Sequence, residues 1–340
     1  MPCGLVFITG ATGFIGSAVA TKALQAGYSL RISVRKEEQI SKLKAALSEF
    51  EDKIDFVVIP DITQQSSFAG KLDGANYVLH IASPMPHGTN AETYFGPAVK
   101  GSTAILKEAA TVSSIKKVVI TSSIVALMPI SGLPEGGVIK EDNDWDLSVD
   151  QTADFTGAND EATSMKLFYA YKLLANQASW DFKKTENPSF SLVTIHPAFV
   201  YGRNPFQTTA EELSGTTAGF FHTVAGGKPL VGITAVHIDN VPEGHVRALA
   251  DNIPDGSYLL AGKKASWKDV ATIVKKEYPH LGFTISEEIA GESWPVNTTK
   301  AETELGMQWR PPQWVELVQD LRPINQPAAP YRSPGYWPSK

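Results

Sequence analysis

The run Leu5-Val6-Phe7-Ile8-Thr9 leads without a break into Gly10-Ala11-Thr12-Gly13-Phe14-Ile15-Gly16, and this segment constrains the fold most tightly. An apolar run of strand length, followed by three glycines at this spacing, requires a strand, a tight turn and a helix in succession. Gly10 allows the turn, Gly13 lets a ligand approach the backbone, and Gly16 lets the helix pack close to the strand. The first turn of such a helix presents free N–H groups and the positive end of its dipole. The loop therefore predicts a bound pyrophosphate, held by Gly10, Thr12, Gly13, Phe14, Ile15 and Gly16.

From Leu5 to His196, short β-branched runs alternate with longer amphipathic stretches, the pattern of βαβ units and a parallel sheet. The fold class read from it is α/β, a Rossmann-type doubly wound parallel sheet. Strands are predicted at Leu5–Thr9, Ser29–Val34, Asp55–Ile59, Tyr77–Ile81, Lys117–Ser122 and Ser191–His196, with helices starting near Phe14, Glu37, Ala91 and Glu161. After His196-Pro197 the rhythm changes, predicting helices at Ala210–Val224, Val241–Ala250 and Trp267–Tyr278 and a strand at Tyr258–Leu260. This reads as residues 1–198 for dinucleotide binding, 199–322 for a smaller, mainly helical substrate lobe interleaved with them, and a proline-rich tail at 323–340.

Composition narrows the function. Thirty Lys and Arg against thirty-six Asp and Glu give a net charge of −6, and the pI is near 5.7. That argues against nucleic-acid and anionic-membrane partners. The single cysteine, Cys3, excludes an intrachain disulfide. Seven histidines show no ligand spacing, so no metal is expected. No apolar window approaches a membrane span and the N-terminus carries no basic leader, which makes a soluble, cytoplasmic protein the expectation. Gly226-Gly227-Lys228-Pro229 lacks the strand and hydroxyl residue of a phosphate loop and reads as a turn; Asn297-Thr298-Thr299 reads as a chance sequon.

At the end of the second predicted strand, where an acid would take a ribose 2′-hydroxyl, the chain carries Arg35, with Lys42 seven residues on. Two cations there suit a 2′-phosphate, so the expected cofactor is NADP(H); solvated surface charge is the plainer alternative. Asp61 and Ile62 are candidates for holding the adenine, and Ala82, Ser83 and Pro84 stand where the sheet's carboxyl edge meets the crevice. Either segment also reads as a simple turn.

With these motifs the chain resembles the extended short-chain dehydrogenases/reductases of the NAD-dependent epimerase/dehydratase superfamily. The nearest group is that of dihydroflavonol reductase, cinnamoyl-CoA reductase and the fungal carbonyl (methylglyoxal-type) reductases. The resemblance spans about residues 5–322 and rests on Thr9–Gly16, Val34-Arg35, His80–Pro84, Val118–Ser123, His196–Gly202 and Val236–Val241. It implies NADPH-dependent reduction of a small aldehyde or ketone to an alcohol by a monomer or homodimer. In that family a Ser, and a Tyr four residues before a Lys, form the active site: the Tyr donates the proton while the Lys holds the nicotinamide ribose and lowers the Tyr pKa. By position the Ser is Ser123, with Ser122 as the alternative, and the Lys is Lys172. Thr121, Pro197, Phe199 and Val200 would contact the cofactor.

The residue four before Lys172 is Phe168, so the expected proton donor has no hydroxyl. Three readings stay open: a reductase disabled by a Tyr-to-Phe substitution; an enzyme in which Tyr169, Tyr171 or the substrate handles the proton; and a binder of NADP(H) without turnover, such as a sensor. Of the two tyrosines, Tyr171 stands closer to Phe168 around the helix. An isomerase, dehydratase or cyclase working without net redox is the rival catalytic class. A further departure is Ala104, where many relatives carry an Asn that orders a proton-relay water. Met85, Ile124, Tyr171 and Phe221 are candidate substrate contacts, joined by Phe199, Phe206 and Phe220 as pocket walls; core packing is the competing reading for each.

Overall fold

The computed structural model describes residues 3–84, 88–207, 213, 215–226, 229 and 232–310. Nine strands run through them: β1 Leu5–Thr9, β2 Ser29–Val34, β3 Ile54–Val58, β4 Tyr77–His80, β5 Lys117–Thr121, β6 Ser191–Pro197, β7 Phe199–Tyr201, β8 Ala235–His237 and β9 Gly256–Leu260. The helices are α1 Phe14–Gln25, α2 Gln39–Ala46, α3 Glu92–Thr111, α4 Asp160–Glu186, α5 Gly215–Val224, α6 Asn240–Arg247, α7 Trp267–Glu277 and α8 Thr299–Glu304. Seven strands form one parallel sheet in the order β3-β2-β1-β4-β5-β6-β9, and β7 and β8 form a separate parallel pair.

Successive strand residues enter opposite layers. Val6 and Ile8, Leu79, Val119 and Val193 pack under α1 and α6, whereas Phe7, Val78, Val118 and Leu192 pack against α3 and Phe182 of α4. With both faces covered, the strands need continuous apolar runs rather than alternation. The strand order reverses between β1 and β4, which places the ligand crevice at their carboxyl ends.

The first six strands and four helix starts lie within one or two residues of their predicted places. The C-terminal segment differs more. The strand predicted at Tyr258–Leu260 is β9, docked in parallel beside β6 with Val193 opposite Gly256 and Pro197 opposite Leu260. Residues after 198 thus complete the main sheet and also cover it, since α6 packs against α1. The pair β7–β8 was not anticipated, because strands of three residues are too short to show a period. Part of the helix predicted from Ala210, and the proline-rich tail, lie outside the described residues.

Candidate functional site

The glycine loop turns at Gly10, whose φ of +80° is accessible to glycine with little strain. A Cβ there would lie 2.6 Å from the backbone nitrogen of Ala82 at the end of β4, and one on Gly16 would lie 2.0 Å from the Gly10 carbonyl oxygen. Gly13 is different: its backbone is extended and its Cβ would meet only that oxygen, at 3.4 Å. Gly13 starts α1 without a side-chain cap, and the N–H groups of Phe14, Ile15 and Gly16 have no acceptor among the described residues. Three unsatisfied donors at a helix N-terminus, over an exposed Thr12-Gly13, form an anion cradle that fits a pyrophosphate.

At the end of β2 the Gln39 side chain accepts hydrogen bonds from the backbone N–H groups of Arg35 (2.9 Å) and Lys36 (3.1 Å). Gln39, missed in the sequence, thereby shapes the turn. Arg35 is exposed and its guanidinium has no partner among the described residues; Glu37 and Glu38 do not pair with it. Asp61 is engaged in a local turn, where one oxygen accepts from the Thr63 N–H and hydroxyl; the hydroxyl bond is the main reason its pKa is lowered. Ile62 packs half-buried beneath β3.

Thr9 ties the two crevice strands together. Its oxygen accepts from the backbone N–H groups of Ile81 (3.2 Å) and Ala82 (3.1 Å), and its hydroxyl donates to His80 Nδ1 at 2.9 Å. His80 Nε2 in turn donates to the Gly101 carbonyl (3.1 Å). His196 and His245 repeat the arrangement: each has one nitrogen on a carbonyl, of Ser123 (3.0 Å) or Val241 (2.7 Å), and the other on the hydroxyl of Thr194 or Thr121. A carbonyl only accepts, so each ring is fixed as one neutral tautomer. Burial pushes all three pKa values down to about 4, with the Lys172 charge a lesser cause at His80 and His196.

Ser123, two residues past β5, caps a 3-10 turn, its Oγ accepting from the Val125 N–H. On α4, Phe168 stacks on Tyr171 with ring centroids 6.3 Å apart and planes 16° apart. The Lys172 ammonium sits 5.7 Å from the Phe168 centroid and 5.5 Å from that of Tyr171. It has no hydrogen-bond or ion-pair partner among the described residues, and burial pushes it down to about 8. One turn on, Asn176 Oδ1 is buried without a partner. Lys172 and Asn176 face a small cavity with His80, Ser83, Ser102 and Ser122. Ala104 points into the opposite core instead, packed among Phe7, Phe68 and Ile105. Asn176 escaped notice in the sequence, although its i, i+4 spacing from Lys172 puts both on one helix face.

Several sequence expectations meet a different geometry. Tyr171 is only 1% exposed, its hydroxyl donating to the Pro84 carbonyl (2.9 Å) and bonded to Ser83; burial raises its pKa to about 12. It anchors the segment after β4 and has no proton to offer a substrate. Ile124 is buried in the core, and Val200 likewise turns its side chain inward. Phe220 is wholly buried, while Phe221 lies edge-on to Phe283, 6.0 Å away. Phe199 packs against Trp294 at 6.0 Å. Apolar character alone did not separate pocket walls from core. Met85 lies outside the described residues. Among the described residues there is no metal-binding cluster and no helix long and apolar enough to cross a membrane.

Known proteins resemble this chain in sequence and in fold. A ketoreductase of Aspergillus fumigatus, sphI, is 53% identical over 323 residues, 93% of this chain and 96% of that protein. The cinnamoyl-CoA reductase CAD2 of Medicago truncatula is 27% identical over 322 residues, covering 90% of this chain and 91% of its own. The solved structure of Gre2 from Candida albicans in complex with NADPH has a TM-score of 0.80 at 24% identity, over 95% of this chain and 99% of that one. The model of the 3-beta hydroxysteroid dehydrogenase/isomerase family matches residues 7–262. With the glycine loop, the sheet order and the Lys172 helix all in place, this chain belongs to that family.

Proposed function

We propose that the protein reduces a small ketone or aldehyde to the alcohol with NADPH. The observation that carries this reading is that one carboxyl edge of the sheet gathers the anion cradle of α1, Ser122 and Ser123 after β5, and the buried, unpaired Lys172. The ketoreductase relative, similar over nearly its whole length, supports the same chemistry. The reduced nicotinamide supplies hydride when bound. Gly10, Thr12, Gly13, Phe14, Ile15 and Gly16 hold its pyrophosphate, and the unpaired Arg35, with Lys42 near it in sequence, receives the 2′-phosphate. Lys172 orients the ribose, and Ser123 hydrogen-bonds the oxygen as negative charge develops.

The absence of a hydroxyl at Phe168 favours a second reading, chemistry without net redox on the same scaffold. One experiment separates them: the purified protein is given NADPH and a panel of aldehydes and ketones, and both absorbance and products are followed. Loss of NADPH with alcohol formed is expected. Product without loss of NADPH would establish the second reading, and tight cofactor binding with neither would refute both.

A further inference from the structure

Reduction of a carbonyl needs a proton as well as hydride, and Phe168 has none. Tyr171, its stacked neighbour, donates to the Pro84 carbonyl and is buried. What remains at the same place is a cation. The Lys172 ammonium stands beside both rings, meets no carboxylate among the described residues, and opens onto the cavity lined by Ser122, Ser83 and His80. That cavity is about 20 Å³, room for about one water, and Asn176 Oδ1 lies buried at its wall with no donor. An acceptor without a donor, one helical turn from a donor without an acceptor, is satisfied by a single bridging water.

We propose, on the reading that this is an NADPH-dependent carbonyl reductase, that Lys172 is the proton donor, resupplied through a water held by Asn176. The carbonyl carbon takes hydride from the reduced nicotinamide, and the C=O π pair moves onto oxygen. An N–H bond of Lys172 breaks as the new O–H bond forms. The carbonyl is reduced, the nicotinamide is oxidised, and the neutral amine regains a proton that bulk solvent supplies through the water beside Asn176, which is left as water. The groups facing Lys172 leave it free to titrate alone: His80 from β4 and His196 from β6 are held neutral, with pKa values near 4, and Tyr171 on its own helix titrates near 12. Burial without a counter-charge brings the ammonium to about 8, close to where a general acid works best. Asn176 is a positioning residue that acts through the water.

The test uses the full chain and has readouts besides turnover. Lys172→Arg keeps the positive charge but will not release a proton. It is expected to bind NADPH within about threefold, by fluorescence titration, and to lose about 10² or more in kcat for ketone reduction. Adding Phe168→Tyr to Lys172→Arg should recover at least about tenfold, since the phenol replaces the lost acid. By 15N NMR of the lysine side chains, Lys172 should titrate near pH 8, and kcat should fall as pH rises through the same value. Asn176→Asp should move both midpoints upward together, because a carboxylate one turn from the ammonium favours its charged form; a kcat midpoint that stays in place while the NMR midpoint moves would overturn the assignment. Tyr169→Phe should leave turnover unchanged. Reduction that survives Lys172→Arg within threefold, or that disappears in Tyr169→Phe, would overturn the assignment. Absence of reduction in both the native chain and Phe168→Tyr would instead overturn the reductase reading on which it rests.

Discussion

Alanine at Gly13 should leave the fold intact and abolish tight cofactor binding, whereas alanine at Gly16 should damage both. At Gly13 the backbone is extended (φ −92°, ψ 174°) and the added methyl meets only the Gly10 oxygen at 3.4 Å, an ordinary contact. Exchanging glycine for alanine at this helix cap costs under about 1 kcal/mol. On the assignment of the free N–H groups of Phe14, Ile15 and Gly16 to the pyrophosphate, the phosphate approaches past Gly13, and the methyl takes that space. Losing one charge-assisted hydrogen bond there costs about 1.5–3 kcal/mol, or about 10- to 150-fold in Kd. At Gly16 the methyl would lie 2.0 Å from the Gly10 oxygen and 2.5 Å from its carbon. Restoring a 3.4 Å contact moves α1 about 1.4 Å away from the loop, an overpacking change worth about 1–3 kcal/mol. Urea denaturation gives the stability and fluorescence titration with NADPH gives the affinity. Native-like NADPH binding by Gly13→Ala would refute the assignment of this loop to the pyrophosphate.

Three further outcomes are expected. Arg35→Glu should weaken NADPH about 10- to 100-fold and leave NADH nearly unchanged, because one charge-assisted contact to the 2′-phosphate is lost; an unchanged ratio of the two dissociation constants would remove Arg35 from cofactor selection. Phe168→Tyr should raise kcat about 10- to 100-fold, since the ring already lies beside the Lys172 ammonium; an unchanged rate would mean that position 168 does not face the reacting oxygen. Acid should destabilise the fold early: His80, His196 and His245 have folded pKa values near 4 against 6.5 when unfolded, so the unfolded chain takes up more protons. The stability they contribute is present above pH 6.5 and lost as pH falls towards 4, with a limiting slope of about 4 kcal/mol per pH unit for three protons. Urea midpoints between pH 7.5 and 5 measure it, and His245→Gln should lower the slope by about one proton.

Strands β1 to β6 were legible because each is a short run rich in β-branched and apolar residues bounded by breakers, and the turn after β1 because three glycines at fixed spacing specify a backbone path. The exposed cation Arg35 just after β2 was legible for the same local reason, as a residue type placed at a strand end. The substrate wall was not. Ile124, Phe206 and Phe220 have the composition of a pocket and the burial of a core, and nothing in a one-dimensional pattern separates the two. The place of β9 was equally hidden, since Tyr258–Leu260 predict a strand but not the neighbour it joins.

By itself the sequence determined the α/β alternation, the glycine turn after β1, and the absence of a hydroxyl four residues before Lys172. These depend on backbone dihedrals and side-chain types within a few residues, where propensity and period act directly. The tertiary structure alone decided how the remaining protons are held. Tyr171 meets Pro84 from 87 residues away, and Thr121 meets His245 from 124. Only such packing occupies the Tyr171 hydroxyl, neutralises three histidines and leaves Lys172 and Asn176 facing one small cavity. Hydrogen-bond partners and local dielectric are properties of the assembled neighbourhood, and that neighbourhood exists only once distant segments have met.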